Sequence, residues 1–165
     1  MRSSRLVFVL VLLVLIIETV RLWFRSPPIM AAHFNILGQP DRFVSKAEFF
    51  SFEIQTMFIV IGLALVSPLL LLIIPVQFIN VPNREYWFLS AQRPIALNRL
   101  GTFLDVIFIS ILLAVHAVFE LAVSANLRTP IMFAPQYMLL FIAGYIIFTL
   151  LMLFWLINSF RIPAE

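Results

Sequence analysis

The stretch "IQTMFIVIGLALVSPLLLLIIPVQFINVPN", residues 54–83, carries no charged side chain from Ile54 to Asn83. A helix needs about 20 apolar residues to cross about 30 Å of hydrocarbon, so this run is long enough to span a bilayer. Its two prolines divide it. Pro68 lies inside and predicts a kink, which lipid-embedded helices tolerate where a neighbour satisfies the freed carbonyl. Pro75 predicts the end of the helix, giving a span over residues 54–77.

Composition extends that reading to the whole chain. Hydrophobic residues make up 63% and charged residues 12% of the 165, against about 45–50% and about 25% in soluble domains. The mean hydropathy is +1.09. A globule of this size lacks the polar surface to cover so much apolar material, so lipid must be a principal solvent. The length allows one membrane domain, residues 1–165. The absence of cysteine excludes disulfides, thiolate metal sites and a cysteine nucleophile.

Three further apolar runs flank the first. Residues 6–24 follow Arg2 and Arg5 like a signal peptide, but the run ends in Trp23 with Arg21 and Arg25 close by, the belt of an uncleaved anchor, with cleavage as the lesser alternative. Residues 103–125 form a third span interrupted by Asp105, His116 and Glu120, and residues 136–158 a fourth with Tyr137 and Trp155 near its ends. The expected fold is therefore an all-α integral membrane protein. Its four transmembrane helices would form a bundle with a structured extracytoplasmic loop, residues 25–53, and a cytoplasmic loop, residues 78–101.

The net charge is +3, and arginine supplies 10 of the 11 basic residues, placed in loops and helix ends. Anionic lipid headgroups account for that placement, and no nucleic-acid partner is implied. With both termini inside, the cytoplasmic set is Arg2, Arg5, Arg84, Arg93, Arg99 and Arg161, against Arg21, Arg25, Arg42, Lys46 and Arg128 outside. The basic leader of the first span favours that orientation.

The first connection holds the densest polar cluster, "AAHFNILGQPDRFVSK", residues 31–46. Pro27 and Pro28 stop the first helix, while Gly38, Pro40 and Asp41 supply turn chemistry. In "SKAE", Ser45 is a helix N-cap with Glu48 three residues on, so a helix starts at Lys46 and lays Phe49, Phe50 and Phe52 at the headgroup level. The segment reads as a folded cap. His33 and Asp41 are either a hydrogen-bonded anchor of that cap or a metal or proton-transfer pair; two ligands alone make no metal site, so no metal is expected.

In the second connection, Arg84, Tyr86 and Trp87 suit an interface, and "SAQRP" suggests a short surface helix beginning after Ser90. In the third span, Asp105 and His116 are about three turns apart, and His116 and Glu120 stand at i, i+4, so all three share one face. Asp105 and Glu120 are expected near the watery ends, and His116 inside, bonded to Glu120 or a carbonyl. No HExxH, GxSxG, GxGxxG or phosphate-cradling pattern occurs, and no cofactor is expected.

The segment "HFNILGQPDRFVSK" resembles the His-Phe-Asn, Gly-x-Pro-Asp, Ser-Lys signature of a bacterial membrane domain of unknown function, shared with the N-terminal part of Sdp-type immunity proteins. The resemblance singles out His33, Phe34, Asn35, Gly38, Pro40, Asp41, Ser45 and Lys46. It extends to Pro82, Asn83, Arg84, Tyr86 and Trp87, with Glu85 where the family pattern has aspartate. It implies a protein of the bacterial cytoplasmic membrane, and the larger relatives protect a cell from a secreted peptide toxin.

The function expected is non-enzymatic recognition of a peptide, lipid or membrane-protein partner through the cap, alone, as a homo-oligomer or as a subunit of a larger complex. The alternative is a small transporter or channel subunit using Asp105, His116 and Glu120. A membrane enzyme using His33 and Asp41 ranks last, because no activating group accompanies them.

Overall fold

The computed structural model describes residues 3–89 and 91–162. Four of its helices are long and apolar enough to cross a membrane: α1 (Ser3–Arg25), α2 (Lys46–Ile73), α4 (Arg93–Asn126) and α5 (Pro135–Ser159). These define a multi-pass membrane protein. Between α1 and α2 lie two strands, β1 (Ile29–Phe34) and β2 (Pro40–Ser45), and a short helix α3 (Arg84–Trp87) precedes α4.

The expectation of an all-α fold is therefore corrected by an antiparallel hairpin, in which Ile29 pairs with Ser45, Met30 with Val44 and Ala31 with Phe43. Neither strand alternates cleanly in polarity, and the register is irregular around Ala32 and between His33 and Phe34. The turn and the contacts beneath it, more than strand propensity, specify the pairing.

Helix α2 starts at Lys46 as expected, with Ser45 as N-cap accepting the Glu48 amide at 3.2 Å. Only half of the capping box forms, because the Glu48 side chain turns to Arg42 at 3.4 Å. The headgroup-level reading of Phe49, Phe50 and Phe52 holds only in part: Phe52 is exposed, but Phe50 is fully inside, packed edge-on to Trp23 and Phe119.

Helix α2 runs unbroken through Pro68 to Ile73, ending before Pro75. Proline lacks the amide that would bond to Ala64, and two side chains take that carbonyl instead: Arg5 Nη2 at 2.7 Å and Ser67 Oγ at 3.2 Å. Arg5, counted from sequence among the flanking charges, thus serves inside the fold. Arg2 of the same leader lies outside the described residues.

The third span is one helix beginning at Arg93, ten residues before the expected boundary. The separate surface helix expected after Ser90, itself outside the described residues, is replaced by the first turns of α4, with Pro94 near its start. A helix of 34 residues measures about 51 Å, well beyond about 30 Å of hydrocarbon, so its arginine-bearing end projects past the lipid. Helices α1, α2 and α5 all pack on α4. Helix α5 buries none of its residues.

Candidate functional site

The hairpin is built by its turn. Gly38 donates its amide to the Asn35 carbonyl at 2.8 Å, and Asn35 Oδ1 accepts from the amides of Leu37 at 2.9 Å and Gln39 at 3.0 Å. Gly38 sits at φ +78°, where a side chain costs free energy, and an added Cβ would meet the Phe133 carbonyl oxygen at 2.0 Å. That close approach has a purpose: the Phe133 amide donates to the Gly38 carbonyl at 2.8 Å, docking the turn on the α4–α5 connection. Phe34 supports the dock with its ring 5.4 Å from that of Phe133.

Two polar side chains fix the hairpin to the helices. Asn126, buried at the end of α4, accepts the Ala31 amide at 2.6 Å and donates to the Ala31 carbonyl at 3.0 Å, acting like a strand partner for β1. Lys46 turns back to α1, where Nζ donates to the carbonyls of Trp23 at 3.2 Å and Ser26 at 3.4 Å and lies 4.7 Å above the Trp23 ring. A cation on the carbonyl end of a helix also complements its dipole.

Asn35, Gly38 and Lys46, which the resemblance singled out in the cap expected to bind a partner, thus build that cap, and Pro40 pairs with Phe34. His33 Nδ1 meets Asp41 Oδ1 at 2.6 Å on the open face, 67% and 43% exposed. Among the described residues no group of three metal-type ligands forms. At its tip the hairpin presents apolar side chains: Ile36 is 93% exposed and Leu37 66%.

Beneath the hairpin lies a pocket of about 730 Å³, within the range of small-molecule sites. Helix α4 forms its floor with Ala114, Val115, Val118 and Ala122; Phe49 and Phe52 of α2 and Phe141 and Tyr145 of α5 form opposite walls. Ala32, Arg42 and Val44 of the hairpin and Glu48 close the polar end. Small side chains on α4 leave this room between large aromatic ones.

The polar residues of the third span do not make one stripe. His116 Nδ1 contacts Glu53 Oε1 of α2 at 2.5 Å, with both residues buried, whereas Glu120 is exposed. The expected bond of His116 to Glu120 or a carbonyl gives way to this interhelical one, because His116 faces α2. Glu53 Oε2 has no hydrogen-bond partner among the described residues. Phe119 lies between this pair and the pocket, 6.5 Å from the imidazole and 5.2 Å from Phe49.

Asp105 is 0% exposed rather than near water, because Ser4 and Arg5 of α1 pack against its carboxylate. It accepts from Ser4 Oγ at 2.8 Å and pairs with Arg5 at 3.3 Å. Trp87, expected at an interface, is also buried: its Nε1 donates to the Phe160 carbonyl at 2.8 Å, Asn83 Nδ2 donates there at 3.0 Å, and Arg99 stacks 4.2 Å above its ring while bonding the Ser159 carbonyl. Tyr86 packs edge-on to Trp87, and Arg84 holds the Gln77 carbonyl at 3.0 Å.

Sequence reading missed Glu53, Arg5, Asn126 and the pocket. In the structure Glu53 continues the buried face of α2 formed by Met57, Val60, Ala64 and Ser67, but α2 is largely apolar on every side beyond Glu53, so the sequence does not single that face out.

A family model described as a domain of unknown function (DUF1648) matches residues 9–54, which take in most of α1, the whole hairpin and α2 through Ile54. No curated protein and no solved structure matches the chain.

Proposed function

We propose that this is a non-enzymatic protein of the bacterial cytoplasmic membrane, related to the Sdp-immunity family. In this reading the hairpin caps a four-helix bundle on the extracytoplasmic side and recognises a peptide, lipid or membrane-protein partner. The carrying observation is the rigid apolar tip. Ile36 and Leu37 stand exposed on a turn whose Asn35 and Gly38 hydrogen bonds are complete and which is docked at Phe133. Exposed apolar side chains on a pre-organised support bind without a large ordering cost. The basic leader supports the orientation, and the His33–Lys46 signature supports the family and compartment.

A photo-crosslinker at residue 36 in native membranes tests this reading. One discrete adduct, lost when Leu37→Asp is added, is expected; only a smear of bulk lipid sinks it. The transport alternative is favoured by one observation, the buried Glu53–His116 pair at the level of the span. Unchanged flux in His116→Ala proteoliposomes removes that alternative.

A further inference from the structure

We propose that the pocket beneath the hairpin is a specific site for one phospholipid whose headgroup carries both a phosphate and a primary ammonium, with an acyl chain running down the α4 floor. This goes beyond recognition at the hairpin tip and does not depend on it, since Ile36 and Leu37 are not among the residues lining the pocket.

Three observations carry it. The first is polarity along the site: apart from Arg42 and Glu48, both at the hairpin end, the lining is apolar or aromatic, so an occupant must be amphipathic with its polar part at that end. The second is shape. Helix α5 buries no residue, and a space of about 730 Å³ lined by Phe52 of α2, Val118 and Ala122 of α4 and Phe141 of α5 lies between apolar, membrane-spanning helices.

The third is charge complementarity. Arg42 and Glu48 meet only loosely, at 3.4 Å, with side chains 69% and 57% exposed, a geometry that contributes little by itself. A zwitterionic headgroup exchanges that one weak contact for two. Its phosphate takes the planar donors of Arg42, and its ammonium takes the Glu48 carboxylate. A phosphate headgroup lacking the cation gains the first contact only, and leaves Glu48 beside a like charge. Association involves no covalent change.

The test uses the full chain, purified in mild detergent and stripped of lipid. It is titrated with phosphatidylethanolamine or phosphatidylglycerol of identical acyl chains and read by native mass spectrometry. One saturating phosphatidylethanolamine adduct per chain is expected, bound more tightly than phosphatidylglycerol. Arg42→Ala should weaken it roughly tenfold, as loss of one charge-assisted hydrogen bond would.

Glu48→Gln should keep binding but erase the preference between the two lipids. Ala122→Phe and, separately, Val118→Phe fill the pocket and should remove the adduct while the melting transition persists. Equal or tighter binding of phosphatidylglycerol by the wild type overturns the proposal. So does an adduct indifferent to both filling variants, or no saturable adduct at all. Crosslinking at residue 36 is read separately, so either idea can fail alone.

Discussion

The hairpin half and the α3 half of this protein use buried polar side chains for different ends. On the α3 side, Arg5 and Asp105 tie α1 to α4, and Asn83, Trp87 and Arg99 close over the end of α5 at Ser159 and Phe160. On the hairpin side, Asn126 and Lys46 tie a small sheet onto the helices, and a pocket of about 730 Å³ remains beneath it. Where lipid surrounds a protein, an apolar contact gains little over contact with lipid tails, so polar and close-packed contacts carry the specificity. One half uses them to close, the other to hold a roof over an open space.

The largest expected effect breaks the closed half. Arg5→Met removes one ion-pair partner of buried Asp105 and a donor to the Ala64 carbonyl, and should lower stability by about 3 kcal/mol in a thermal melt in detergent. Asn126→Ala attacks the other half. It strips the Ala31 amide and carbonyl of their partners in a buried setting, a loss of about 2–4 kcal/mol, with faster amide exchange confined to the hairpin.

Gly38→Ala should cost about 2 kcal/mol, since the residue holds a positive φ and a Cβ would strike the Phe133 carbonyl; the tip should undock before the helices melt. Trp87→Phe keeps the ring but loses the Nε1 bond to Phe160, about 1 kcal/mol. His33→Ala should move the melt by less than about 1 kcal/mol, because its pair with Asp41 is solvent-exposed. A large effect at His33 would mean that the open face of the hairpin is covered in the membrane.

Much of the cap was legible beforehand. Pro27 and Pro28 ended α1, Gly38 marked the turn, and Ser45 marked the start of α2, because each acts through its own neighbouring backbone. The strands were not legible, since neither alternates cleanly in polarity and the pairing rests on Asn126 and Phe133 as well as on the turn, both partners lying more than eighty residues further along the chain. Trp87 and Asp105 misled for a related reason. An aromatic near a span end reads as an interfacial belt, and a charge near a span end reads as wet, until a distant segment packs over them, Phe160 on Trp87 and the start of α1 on Asp105.

Composition and hydropathy alone determined that this chain lives in lipid, how many helices can cross it, and which loop carries the polar cluster. Those properties depend on local sequence and the thickness of a bilayer. The tertiary structure decided which side of each apolar helix faces protein. A uniformly apolar helix presents the same chemistry to lipid and to a neighbouring helix, so its sequence carries no amphipathic signal to tell them apart. That is why the Glu53–His116 contact, the Arg5 bond beneath Pro68 and the space over Val118 and Ala122 emerge only once α2, α4 and α5 are placed together.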